Sequence, residues 1–218
     1  MSPTAKFHGT ISTFTVGTVY WIMLHISKIL PPVDKLSPWQ KAIVAYVTSV
    51  AVYNLAAAGL RWFLGRSRLA RQLFLGAIYL EGTWVGCYES PSKEKRLTVE
   101  HFEQTLEGLT IRGAAFTENS NAEIVQWISK ATSINEIDGT LTYSYACTHL
   151  STPPSQFEGL ANFRFTRTDA TRAPEILDGY SADLIDGVSS GNHEVLLTRK
   201  LKNFRAAWED AKKMNLCS

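Results

Sequence analysis

The periodicity of the chain changes at Glu81, and no single compact layer satisfies both halves. Before Glu81 the sequence runs in long apolar stretches; after it apolar and polar residues alternate, the period of a half-buried strand. Charge divides at the same place. Up to Leu80 eight Lys or Arg stand against one acid, Asp34, whereas from Glu81 onward fourteen stand against nineteen. The overall charge of +2 and hydrophobic content of 45% average two unlike parts. They still exclude a disordered chain, a collagen-like repeat and a many-pass transporter. The three cysteines, Cys87, Cys147 and Cys217, are widely and unevenly spaced, which excludes a disulfide framework and any CxxC metal or redox site.

Residues 1–80 read as a membrane hairpin with a basic juxtamembrane linker. From Ala42 to Leu60 the chain carries no charge and only Thr48, Ser49 and Asn54 as polar interruptions. At about 1.5 Å per residue that stretch crosses a hydrocarbon core of about 30 Å. Arg61, Arg66, Arg68 and Arg71 follow, so the downstream side is expected to be cytoplasmic. A second span is expected over 10–30, weaker because of its Thr and Ser residues and His25. Pro31, Pro32 and Pro38 break the segment between, making the two helices antiparallel. A cleaved signal peptide is the rival for the first span, but its basic end is only Lys6 and no small-x-small site follows. Ala42, Ala45 and Ser49 share a face on which helices can approach closely, and Asn54 has no water to bond at that depth. Ser49 and Asn54 are therefore candidate assembly residues, with pairing to the first span of the same chain equally open for Asn54.

Residues 81–218 read as an eight-stranded antiparallel meander barrel with a short C-terminal helix. Alternating runs fall at about 82–89, 94–105, 108–117, 123–133, 140–149, 157–168, 175–183 and 192–201. Turn residues separate most of them: Ser90-Pro91-Ser92, Glu107-Gly108, 118–121, Asp138-Gly139, Pro153-Pro154-Ser155 and 189–192. Regular spacing without intervening helices means antiparallel neighbours, and closure removes the edges; a two-sheet sandwich is the competing architecture. The aromatic and small phase is assigned to the interior: Trp84, Gly86, Tyr88; Trp127, Ser129, Ala131; Leu141, Tyr143, Tyr145, Cys147; Gly159, Ala161, Phe163, Phe165. Residues 202–214 read as an amphipathic helix with Phe204, Ala207, Trp208 and Ala211 on one face, set to plug or pack against one barrel end.

Sequence motifs for catalysis are missing: there is no HExxH, Walker loop, GxSxG, paired Cys or clustered His. His101 between Glu100 and Glu103 reads as an ordinary exposed strand, with Glu100 on the face opposite His101. The expectation is a binding domain without catalytic residues, metal or cofactor. Arg112, Lys130, Arg164 and Arg199 interrupt strand patterns. Arg199 shares the phase of Val195 and Leu197 and so requires an anionic partner, either a carboxylate such as Asp178 or Asp183 or a bound phosphate.

The two apolar helices, the barrel opening LEGTWVGCYES and closing LDGYSAD and EVLLTRK, and the motifs Gly82-Thr83-Trp84, Gly113, Glu158-Gly159, Gly179-Tyr180, Asp183 and Arg199 carry a resemblance over nearly the whole chain. The chain resembles the SMODS-associating two-transmembrane, β-strand-rich effectors of bacterial cyclic-oligonucleotide-based anti-phage systems (CBASS). That resemblance implies an inner-membrane effector whose barrel binds a cyclic dinucleotide made by a cognate nucleotidyltransferase, then assembles into homo-oligomers and damages the lipid bilayer. Alternation and charge nominate the ligand residues: Arg199 and Arg112 for phosphates, Tyr145, Trp127 and Tyr180 against the bases. The acidic barrel half repels a dianion at long range, so affinity has to come from local arginines. The rivals are a membrane-tethered, lipocalin-like carrier or sensor of a small apolar ligand, and a barrel filled by its own side chains.

Overall fold

A computed structural model describes residues 3–29, 36–90, 93–117, 122–150, 155–167, 169, 172–184, 187 and 189–217. Pro31 and Pro32, the turn residues Pro91 and Ser92, residues 118–121 and Pro153-Pro154 lie outside them. The chain forms two units, 1–74 and 75–218, so the boundary falls slightly before Glu81.

The first unit is helical: α1 (Pro3–Ile29), α2 (Pro38–Arg66) and α3 (Arg68–Leu75, whose last residue opens the second unit). Ser37 and Gln40 form a capping box that starts α2, with Pro38 at its first turn. α1 and α2 run antiparallel, because the start of α1 meets the end of α2: His8 Nδ1 lies 2.6 Å from Tyr53 Oη, and Arg61 sits over the Phe7 ring. Of the two, α2 alone is long and apolar enough to cross a membrane. Its flanks carry Trp39 and Trp62, both exposed. Spaced 23 residues apart, they are about 35 Å apart along the axis, which matches aromatic anchors at the two interfaces of a bilayer. The second span expected over 10–30 is instead part of a helix that begins at Pro3 and holds a hydroxyl-rich face. Thr10 and Thr13 donate back to Lys6 and Gly9 carbonyls, an arrangement that satisfies hydroxyls without water.

The second unit is a closed barrel of eight antiparallel strands in consecutive order, as the alternation requires. They are β1 (Gly82–Glu89), β2 (Lys95–Gln104), β3 (Leu109–Thr117), β4 (Glu123–Asn135), β5 (Thr140–His149), β6 (Ser155–Thr166), β7 (Ile176–Asp183) and β8 (Ser189–Thr198). Register is pinned by pairs such as Val85↔Val99 and Tyr145↔Gly159. One end is closed by the incoming chain. A 3-10 turn, Gly76–Ile78, and Leu80 seal it, and the Gln104 amide clamps them by accepting from Leu80 N at 2.6 Å and donating to Ile78 O at 2.9 Å. Trp84 donates to Leu80 O below, and Phe102, Ile111, Leu141, Phe163 and Leu177 complete an apolar plug inside that end.

Three expectations are corrected here. First, Ala131 is exposed, because a bulge at Lys130 shifts the β4–β5 register and reverses the phase beyond Ser129; Thr132 and Ile134 turn inward in its place. Second, the C-terminal helix α4 (Phe204–Lys213) covers the outer wall instead of an end. Asn203 caps it by accepting from Arg205 N and Ala206 N. Ala207, Trp208 and Ala211 bury against Val85, Leu97, Val99, Ala114 and Phe116, and Phe204 stacks on His101 at 4.1 Å. Third, Cys87 and Cys217 form a disulfide across 130 residues of chain, fastening the tail beyond α4 to the outer face of β1. Cys147 stays free and buried.

This pairing has a direct test. In denaturant without reductant the intact chain should titrate one thiol, Cys147, and three after reduction. Three thiols without reductant would contradict the bond.

Candidate functional site

In β1, β5 and β6 the face predicted to be inward does point inward, as it does in β4 up to Ser129, but in β2 and β8 the polar phase is the inward one. There the covering helix gives the outer face an apolar partner, so Leu97, Val99 and Leu197 bury outside the barrel. Their neighbours Thr98, Glu100, Gln104 and Glu194 are buried inside it. The inner half away from the plug therefore becomes a polar, aromatic cavity of about 270 Å³. Trp127, Tyr143 and Tyr145 form much of its wall, with Arg96, Glu100 and Asp183 among its charged groups.

Room for the wall is made by three inward glycines, each paired across the sheet with a bulky side chain: Gly113 with Trp127, Gly159 with Tyr145, and Gly86 with Glu194. A Cβ at Gly113 would lie 2.1 Å from the Trp127 ring, one at Gly159 2.2 Å from the Tyr145 ring, and one at Gly86 2.5 Å from the Glu194 carboxyl. Any larger residue would push these groups off the wall and into the cavity. The glycines thus hold the rings flat against the sheet.

Glu100 is the polar centre. It is 2% exposed, and its Oε1 accepts from both Trp127 Nε1 and Tyr143 Oη at 2.9 Å. Those two bonds fix the carboxyl plane. Its Oε2 is buried and has no hydrogen-bond partner among the described residues. Behind it Glu194, 1% exposed, accepts from Thr98 Oγ1 at 2.8 Å. Burial raises the Glu100 carboxyl to about 7, against the pull of its two donors. Burial, and then the neighbouring Glu100 charge, raise Glu194 well above the ordinary carboxylate range. Tyr143 and Tyr145 are raised chiefly by burial, and Cys147 is pushed up to about 12 by burial and by the Asp183 charge. Near neutral pH the hydroxyls, the thiol and Glu194 keep their protons, leaving Glu100 poised to ionise. Among the described residues no group of three or more His, Cys, Asp or Glu could hold a metal ion.

The sequence-nominated residues separate cleanly. Trp127 and Tyr145 line the cavity. Arg199 lies at the plugged end, donating to Tyr79 O at 3.2 Å and Pro174 O at 2.8 Å and covering the Tyr79 and Trp84 rings. Backbone carbonyls, not Asp178 or Asp183, are the acceptors its guanidinium meets. Asp178 instead pairs with His193 at 2.5 Å on the outside. Arg112 is on the outer wall 3.6 Å from Glu103, and Tyr180 is 49% exposed there. In the helical unit Ser49 donates to Ala45 O of its own helix, and Asn54 is exposed. The residues that alternation passed over are Glu100, Arg96 and Glu194. A signal existed: Arg96, Thr98, Glu100 and Gln104 share one phase, broken only by Phe102, and form an inward row once Leu97 and Val99 have another partner.

Compared with protein-family models the chain matches none, and no curated protein sequence matches it.

The buried carboxyl sets a pH dependence. Glu100 holds its proton more tightly folded than unfolded, where the ordinary value is 4.5. Stability is therefore full below that value and is lost as pH rises through about 7. Glu100→Gln keeps the acceptor for Trp127 and Tyr143 while removing ionisation. It should raise stability by about 3 kcal/mol at pH 8 and change it little at pH 4, read from denaturant unfolding at both values. An equal effect at the two pH values would show that Glu100 does not ionise in place.

Proposed function

We propose that the chain is a membrane-anchored receptor effector. Its barrel binds a cyclic dinucleotide at the interior cavity, and binding drives self-association and disruption of the bacterial inner membrane that stops phage spread. The observation that carries the reading is the cavity itself: flat aromatic walls ending on a rigid, buried carboxyl. Such a chamber suits a planar heterocycle with N–H donors, because the rings supply stacking and the carboxyl supplies the acceptor. Its volume of about 270 Å³ suits one base, not a whole dinucleotide, so the phosphates remain at the mouth. Arg96 is the cation there, on the inner face of β2 and within 3.4 Å of Glu94. It takes over the phosphate role that the sequence gave to Arg199 and Arg112.

In this reading α1 crosses the bilayer beside α2. The antiparallel contacts of His8 with Tyr53 and of Phe7 with Arg61 support a hairpin, and Arg61, Arg66, Arg68 and Arg71 favour a cytoplasmic barrel, where a nucleotide messenger is made. Phe14, Tyr20, Trp21, Tyr46, Val47 and Leu55 are exposed on the helices, a surface suited to lipid and to other copies of the chain. Ligand acts by population shift, provided it binds the assembled form more tightly than the dispersed one.

A second reading is favoured by one observation, the Cys87–Cys217 disulfide, since such bonds persist in oxidising compartments. It makes the barrel a tethered carrier of a small ligand outside the cytoplasm. The buried Glu100 and Glu194 set its ligand apart from a simple lipid, whose tail would strand both carboxyls.

The two readings part in liposomes carrying the full-length protein and a trapped dye. Under the receptor reading at least one member of a broad cyclic dinucleotide panel binds, enlarges the oligomer and releases dye. Absence of binding by every member contradicts it.

A further inference from the structure

We infer that the cavity selects the base it admits, and that Glu100 makes it a reader of a guanine-type edge, one presenting two adjacent N–H donors. The inference rests on the reading that a nucleotide base enters the barrel. Three features of the site fix the selection.

The first is that the two oxygens of Glu100 are not equivalent. Oε1 already accepts two bonds, from Trp127 and Tyr143, and has no capacity left. Oε2 is buried, lacks a partner among the described residues, and belongs to a side chain on the cavity lining. When ionised it is an acceptor with two lone pairs and no donor, offered to a ligand edge that displaces the side chains covering it. The second is rigidity. Two short bonds to rings that are themselves seated on Gly113 and packed against Phe163 leave the carboxyl no freedom to turn. The third is shape, because Tyr145 and Trp127 lie flat on glycines and offer ring faces on which a planar ligand can stack.

Bases differ in what they offer such an oxygen. Guanine presents an imino N–H beside an amino N–H, two adjacent and nearly parallel donors that one oxygen can take as a forked pair. Adenine and cytosine present one amino group beside a ring acceptor, which the oxygen repels. Uracil presents one N–H between two carbonyl oxygens, the poorest match. A site built around a buried acceptor leaves that acceptor unpaired when the wrong edge enters, and discrimination follows from that penalty. Glu194 sits near the carboxyl, bonded to Thr98, outside the cavity lining.

Glu100→Gln inverts the chemistry. The amide oxygen stays with its two donors, so the NH₂ group is presented to the cavity, and a donor now faces the ligand. The edge preference should invert with it.

The test is the affinity of full-length protein in nanodiscs for cyclic di-GMP, cyclic di-AMP and cyclic di-UMP, measured by calorimetry for the natural chain and for Glu100→Gln. The natural chain should bind cyclic di-GMP at least tenfold more tightly than either of the others. The variant, with an unchanged near-ultraviolet circular dichroism spectrum, should lose that advantage and favour cyclic di-UMP. Binding of all three within threefold overturns the inference while leaving the receptor function standing, as does a guanine preference that survives Glu100→Gln. The natural-chain ranking decides the point even if the variant misfolds. Failure of all three to bind overturns this inference, and the receptor reading falls with it when every other member of the broad panel also fails to bind.

Discussion

An acid inside a closed barrel has to be held by donors, and the Glu100 carboxyl is held by two. Much of the second unit follows from that requirement. Trp127 and Tyr143 must stand on neighbouring walls at hydrogen-bond distance, which fixes the registers of β4 and β5. Trp127 must lie flat, which requires Gly113 opposite it. The strand carrying Glu100 turns its polar phase inward, so its apolar phase needs cover outside. The amphipathic face of α4 supplies that cover, with Trp208 packed near Phe116. Capping by Asn203 and the Cys87–Cys217 bond keep α4 on the wall. The buried acid and the outer helix are thus two ends of one constraint.

Opposite ends of the barrel perform different work. The plugged end is apolar and saturated: Gln104 satisfies Leu80 and Ile78, Trp84 satisfies Leu80, and Arg199 satisfies Tyr79 and Pro174. Its polar groups bond to backbone, which suits a fixed base. The other half keeps polar groups that are buried yet only partly committed, with Glu100 Oε2 the clearest case. Stability resides in the first half, and recognition is proposed for the second. A raised carboxyl there costs folding energy near neutral pH, the common signature of a group retained for binding.

The strand count, the order and the inward phase of β1, β5, β6 and the first part of β4 were legible from alternation alone, with strand ends placed to within a few residues. Three things were not. The bulge at Lys130 changed the phase of β4 within an unbroken run of strand-like residues, and period-two reasoning cannot see an inserted residue. The inward phase of β2 was hidden because Leu97 and Val99 look like core, and only the packing of a helix a hundred residues later makes their face the outer one. Arg199 was expected to need an anionic partner, but the groups its guanidinium bonds are the carbonyls of Tyr79 and Pro174, which carry no side-chain signal. Long-range packing, not local propensity, separated the residues found from those missed.

The most direct measurement is a structure of the full-length protein bound to the tightest cyclic dinucleotide of the panel. The account predicts one base inside the barrel stacked on Trp127 or Tyr145, with its N–H edge within hydrogen-bond distance of Glu100 Oε2 and a phosphate at Arg96. A ligand seated on the outer wall beside Arg112, or at the plugged end beside Arg199, with no base inside the barrel, would contradict it.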